Sequence, residues 1–215
     1  MVAHDSARAE RGRGPKGALN QARYSEIVEA AGIEFAEKGY QAARIEDIAA
    51  RVGILKGSLY YYIESKEDLL FEIADRGHAR GLGRVAAEEP EVAAADAPTR
   101  LASFIRRWTV MLPLNPPYLT VAERDIRFLS GERYETVMEK RVAIHQYGRS
   151  LIEQGIAEGH FDPEVDVGLA TNTLFEVLNG TTRWFRPRGR LQHQDLAEWY
   201  VSLFLGGLGY EGPRP

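Results

Sequence analysis

The sequence predicts an all-α protein, a small three-helix head on a larger helical body, with about nine helices in all. Three observations carry that prediction. Apolar residues recur at three- and four-residue steps along most of the chain. Strand-type alternation is nearly absent, and glycines or prolines stand where each helical stretch stops.

Tyr24, Ile27, Val28, Ala31 and Phe35 share one helical face and Gly39 supplies a stop, so a first helix of about 17 residues is expected. The stretch IEDIAARVG sets Ile45, Ile48, Ala49 and Val52 on one face and ends at Gly53. ILKGSLYYYI follows, then SKEDLLFEIADRGHARGLGRVAAEE, where Ser65 and Asp68 have the spacing of a capping box ahead of Leu69, Leu70 and Ile73. PEVAAADAP at 90–98 reads as a loop between two parts. Beyond it, helices are expected at about 99–112, 117–129, 132–158, 164–186 and 193–208, separated by NPP, SG, GHFDP and RPRGR. The last carries Leu196, Trp199, Tyr200, Leu203, Phe204 and Gly207, a stripe suited to packing against a symmetry mate. The chain thus divides into an arm at 1–20, a head at 21–66 and a body at 67–210.

Composition narrows the function classes. A formal net charge of -4 is wrong for a protein that coats nucleic acid by bulk charge, yet Arg8, Arg11, Arg13, Lys16 and Arg23 make the start of the chain locally basic. That start reads either as a flexible basic arm or as a tail with no role. The absence of cysteine removes disulfides, thiolate catalysis and sulfur-ligated metal. No apolar run reaches the ~18 residues of a membrane span and the N-terminus lacks the apolar core of a signal peptide, so a cytoplasmic protein without a membrane partner is expected. His4, His78, His145, His160 and His193 are scattered without metal-ligand spacing, and His145 suits a polar pocket group or a surface position. GLGRVA and GLGYEG follow no strand and are chance matches to a dinucleotide fingerprint. No metal, cofactor or catalytic group is expected, hence no enzyme.

The head has the order of a helix-turn-helix, in which the second helix enters the major groove. On that helix Leu59, Tyr62 and Ile63 fall on the inward face, whereas Lys56 with Tyr60 and Gly57 with Tyr61 point outward. The outward set fits a duplex: Lys56 neutralises phosphate, Gly57 admits a close backbone, Ser58 donates, and the two tyrosines join a hydroxyl to a flat apolar ring. Lys66 adds charge at the start of the next helix. The competing reading is a short surface helix.

Residues 22–70 resemble the DNA-binding domain of TetR-type transcriptional regulators, and KGSLYYYI with the following SKE and LL is the most specific part. The resemblance implies a homodimer on a palindromic double-stranded operator, with Lys56, Gly57, Ser58, Tyr60, Tyr61 and Lys66 on DNA and Tyr62 packing while reaching phosphate. Family members usually place Thr or Ser before the second helix; here Ala43 and Arg44 stand there, so the cap weakens and Arg44 takes over the phosphate contact.

The body resembles, more loosely, TetR members that respond to acyl-CoA thioesters and control fatty-acid or sterol breakdown. That implies a ligand-responsive regulator, a repressor released by a small-molecule effector. Arg124, Arg127, Arg183 and Arg186 are candidate cations for the CoA phosphates, with Trp184 beside them and Asn179 one turn before Arg183. The same arginines would equally serve ion pairs with the acidic residues across a dimer. Related sequences often carry Trp where this chain has Gly180. Two other readings stand beside this one: a helical binding or catalytic protein with a non-functional head, and a regulator of the same class answering an aromatic or cationic drug-like compound.

Overall fold

The computed structural model describes residues 15–86, 90–111, 116–186, 189–213 and 215. Among them it has ten α-helices, one 3₁₀ turn and no strand. The extra helix beyond the expected nine is Pro90–Ala93, inside the segment read as a loop. Its main chain closes a turn there, Ala94 N–H to the Pro90 carbonyl at 3.1 Å, before the next helix starts at Ala97.

The head comprises α1 (Pro15–Lys38), α2 (Ile45–Val52) and α3 (Lys56–Leu59). α1 starts at Pro15, so residues 15–20, read as part of an arm, belong to its first turns, and the rest of that arm lies outside the described residues. Ile27, Val28, Ala31 and Phe35 are wholly buried, as the three- and four-residue spacing requires. α2 buries Ile45, Ile48 and Ala49 and ends at Gly53, whose φ of 73° lets Ile54 N–H return to the Ala49 carbonyl at 3.0 Å. A residue with Cβ is strained at that angle, which is why the turn carries glycine. α3 has only four helical residues, but Tyr61 and Tyr62 N–H groups bond back to Ser58 and Leu59 and add a further tight turn.

α4 (Lys66–Ala86) opens on the expected capping box: Asp68 Oδ2 accepts from Ser65 N–H at 3.1 Å, and Ser65 Oγ accepts from Asp68 N–H at 3.3 Å. α5 (Pro90–Ala93), α6 (Ala97–Met111), α7 (Pro116–Asp125), the 3₁₀ turn Ile126–Phe128, α8 (Gly131–Ala157), α9 (Val167–Trp184) and α10 (His193–Gly207) form the rest. α9 starts at Val167 rather than 164 because Asp166 caps it, accepting from Leu169 N–H at 2.9 Å.

Two apolar cores result. The first joins the head to Leu69, Leu70, Ile73 and Ala74 of α4, and continues into Tyr118, Val121 and Ala122 of α7 and Val137 of α8. The second is built from Leu101, Phe104 and Trp108 of α6, Ile144 and Leu151 of α8, Leu174 and Phe175 of α9, and Tyr200 of α10. The division read at 66/67 therefore falls inside one continuous core, and α4 runs from that core to the second, where Leu82 packs.

Candidate DNA-reading face and ligand cleft

α3 projects its outer face because Leu59 and Ile63 are pulled into the first core. Tyr61 is left 77% exposed and Tyr60 47% exposed, whereas Tyr62 is half-buried against the core with its ring edge-on to Tyr61 at 5.4 Å. The three adjacent tyrosines thus divide into two outward and one inward, as their angular spacing demands. Gly57 has no neighbour within 4 Å of where a Cβ would sit, so nothing inside the head requires a glycine there. Lys56, Gly57 and Ser58 are all exposed.

Charge on this face is pre-arranged. Lys56 Nζ lies 2.6 Å from Glu46 Oε1 across the turn, and that hydrogen bond pulls the Glu46 carboxyl below the usual carboxylate range while raising Lys56. Arg44 occupies the N-cap position of α2 in extended conformation, without a side-chain cap bond, and is exposed. Ala43, the residue before it, is 3% exposed and belongs to the core. Lys66 is turned inward: its Nζ sits 4.6 Å from the Tyr40 ring centroid and donates to the Gln41 carbonyl at 3.2 Å, and burial lowers its pKa. Leu55, which sequence reading passed over, is 80% exposed at the N-cap of α3 on the same surface. Its signal was an apolar residue standing where a helix start favours Ser, Thr, Asp or Asn.

The body separates the proposed ligand residues. Arg124 donates to the Phe35 and Ala36 carbonyls at the end of α1 and pairs with Asp125 at 2.7 Å, so it sits at the junction with the head. Arg127 lies over the Phe128 ring in the 3₁₀ turn. Asn179 Oδ1 accepts from Trp108 Nε1 at 3.1 Å and is tied to the second core. Arg183 folds back over Gly180, with Nη2 3.1 Å from where a Cβ would stand, a close approach that the end of the arginine side chain would have to ease by a few tenths of an ångström for any other residue. Trp184 is half-exposed at the end of α9, and Arg186 donates to the Phe185 carbonyl at 3.2 Å.

A cleft of about 350 Å³ opens elsewhere, between α8 and the first turns of α9. It is lined by Met138, Arg141, Val142, His145, Gln146 and Arg149 on one side and Gly168, Thr171 and Asn172 on the other. That volume is at the lower end for small-molecule sites. None of the six predicted ligand residues lines it. Arg141, His145 and Arg149 stand four apart, a helical stripe visible in the sequence. His145 stacks on Phe175 with ring centroids 3.8 Å apart, and burial followed by the nearby Arg141 charge lowers its pKa. Asn172 and Arg183 are three turns apart on one face of α9, about 16 Å along its axis.

Among the described residues no group of His, Cys, Asp or Glu could hold a metal ion, and no helix is long and apolar enough to cross a membrane.

A helix-turn-helix head sharing a core with a helical body that carries a cleft defines the class of one-component DNA-binding regulators. Residues 26–73 match the family described as bacterial regulatory proteins, tetR family, and residues 94–208 match the tetracyclin repressor-like C-terminal domain. The chain belongs to the TetR family of transcriptional regulators. It is 29% identical over 190 residues to the HTH-type transcriptional repressor KstR2 of Mycobacterium tuberculosis, covering 88% of this chain and 94% of that one. A crystal structure of a tetR-family regulatory protein from Rhodococcus RHA1 superposes with a TM-score of 0.80 at 28% identity, over 88% of this chain and 98% of that one. AibR, solved with isovaleryl coenzyme A and operator DNA, shares the fold with a TM-score of 0.75 at 24% identity, over 84% and 97% of the two chains.

Proposed function

We propose that the protein is a ligand-released transcriptional repressor that binds a palindromic operator as a homodimer and answers an acyl-CoA thioester. The exposure of Lys56, Gly57, Ser58, Tyr60 and Tyr61 together on one face of α3 is the observation that carries the DNA reading. Arg44 joins them as a phosphate contact, Tyr62 reaches phosphate from its half-buried place, and Lys66 supports the reader from behind. The similarity to a repressor over nearly the whole length supports the sign of regulation.

Dimerisation is supported by exposed Leu169 and Trp184 on α9 and Trp199 and Leu203 on α10, large apolar groups a lone chain leaves in water. Half-sites one helical turn, ~34 Å, apart would then be read together. The acyl-CoA reading is supported by the cationic cleft, by Arg183 near the far end of the same helix and by Arg186 just beyond that end, spaced for an elongated anion. Arg124, Arg127 and Asn179 belong to the frame that holds this surface. The ligand-bound neighbour AibR contributes a precedent of fold. No carboxylate lines the cleft, which disfavours a cationic drug-like effector.

Two measurements test the proposal. Gel shifts with the protein's own upstream DNA should show binding that Lys56→Ala and Tyr60→Phe weaken; unchanged binding by both variants removes these residues from the reader. A thermal-shift screen of CoA thioesters of graded chain length, with free fatty acids as controls, should show thioester stabilisation; no rise with any thioester removes this effector class.

A further inference from the structure

Ile54 and Leu55 are adjacent apolar residues in the turn between α2 and α3, and they meet opposite fates. Ile54 packs against the first core, whereas Leu55 belongs to neither core. Its side chain is the most exposed of the large apolar groups among the described residues. Leu55 is also the N-cap of α3, in extended conformation at φ -73° and ψ 148°, and makes no side-chain cap bond where Ser, Thr, Asp or Asn would accept from the helix start. The head therefore gains neither burial nor a cap from a leucine here. What offsets that loss lies outside the head.

The surroundings identify the missing partner. Lys56, Gly57 and Ser58 follow Leu55 and are exposed with it, and Tyr60 and Tyr61 project from the same short helix. The exposed apolar groups that support dimerisation are carried instead by α9 and α10. In a helix-turn-helix the residues that lead the second helix meet base edges. The major groove of unmodified DNA presents one apolar group, the C5-methyl of thymine; its other edge groups are hydrogen-bond donors and acceptors. A leucine can neither donate nor accept, so it is matched to that methyl and to nothing else in the groove.

We infer that Leu55 is a specificity-determining residue that packs on a thymine C5-methyl in the operator, and that α3 forgoes its N-terminal cap to present it. This rests on the operator-binding reading and adds to it a residue that reads sequence through apolar contact alone.

Fluorescence anisotropy with the full-length protein tests the assignment on two forms of its own upstream DNA, one with thymidine and one with deoxyuridine throughout, which lacks only the methyl. Loss of one buried methyl should weaken the parent by roughly fourfold per half-site. In Leu55→Ala and Leu55→Ser the ratio of the two affinities should fall towards that of the remaining methyl contacts, by the same factor of roughly four per half-site, a double-mutant cycle that cancels any effect of deoxyuridine on duplex shape. The slope of log affinity against log salt should stay as in the parent, since no phosphate contact is removed. Leu55→Ser should melt no lower than the parent, because it restores a cap and empties no core. A parent indifferent to the methyl overturns the inference and leaves operator binding standing. Equal ratios in parent and both variants assign the methyl contact to another side chain and overturn it as well. A lowered melting point of Leu55→Ser would mean that the leucine serves the head itself, and absence of binding to either DNA removes the operator reading together with this one.

Discussion

Arg124 of α7 donates to the carbonyl of Phe35, closing the end of α1 with a side chain that comes from the body. Helix ends leave their last carbonyls without internal partners, and a cation there also meets the negative end of the helix dipole. The head is therefore held to the body by a cap as well as by the shared core. Arg124→Met should strip the cap and leave the buried Asp125 carboxylate without its pairing cation. Because the Arg124 side chain is 39% exposed, its loss is discounted for screening to about 1–2 kcal/mol. A urea titration showing no fall in midpoint would remove the cap from the stability of the junction.

Gly57 separates folding from DNA binding. The space where its Cβ would stand is open and the position is helical, so Gly57→Ala should leave stability unchanged or raise it by up to about 1 kcal/mol. The same methyl group would obstruct the approach of a phosphate or base to the backbone. Operator affinity should fall by tenfold or more. A variant as stable and as tight as the parent would show that the duplex stays clear of this part of α3.

Lys56 meets phosphate only by giving up Glu46. The Glu46 carboxylate is an internal rival for the ammonium, so Glu46→Gln should tighten operator binding by a few-fold at low salt. Lys56→Ala should weaken binding across sequences alike and lower the slope of log affinity against log salt by about 1. Equal slopes for parent and Lys56→Ala would place that lysine off the phosphate backbone.

What the sequence revealed and what it concealed follow from the range of the contacts involved. The head was legible because its determinants are local: helical spacing of apolar residues, Gly39 and Gly53 at the stops, and the Ser65–Asp68 box that the structure reproduces. The orientation of Tyr60, Tyr61 and Tyr62 followed from angle alone. As free cations in the sequence, Arg124 and Lys66 point to phosphates, whereas the structure engages them with main-chain carbonyls of α1 and the residues just after it. Main-chain acceptors have no sequence signature, so such caps cannot be read in advance. The cleft forms where α8 crosses the start of α9, a tertiary event; only the stripe Arg141, His145, Arg149 hinted at it.

Acid should destabilise the protein through two histidines well before its carboxylates titrate. His78 is buried on α4, and burial outweighs the opposing pull of the Ala74 carbonyl and of Glu123 and Asp75, with Arg141 adding to the depression. His145 is depressed by burial and then by Arg141 and His78, against Glu176 on α9. A histidine whose folded pKa lies below its ordinary value near 6.5 binds fewer protons folded than unfolded in that interval. Its contribution is fully present above that value and is lost as pH falls through the folded pKa. Unfolding free energy should accordingly be flat from about pH 7.5 to 7 and decline below about 6.5, each histidine adding a slope of up to about 1.4 kcal/mol per pH unit. The lowered carboxyls of Glu34 and Asp68 act in a separate window, below their ordinary values of 4.5 and 3.8. Urea titrations at half-unit pH steps on the parent, His78→Gln and His145→Gln should show the decline between about pH 6.5 and 5 reduced in each variant. An unchanged slope in both would mean that these imidazoles protonate in the folded protein as readily as in the unfolded chain.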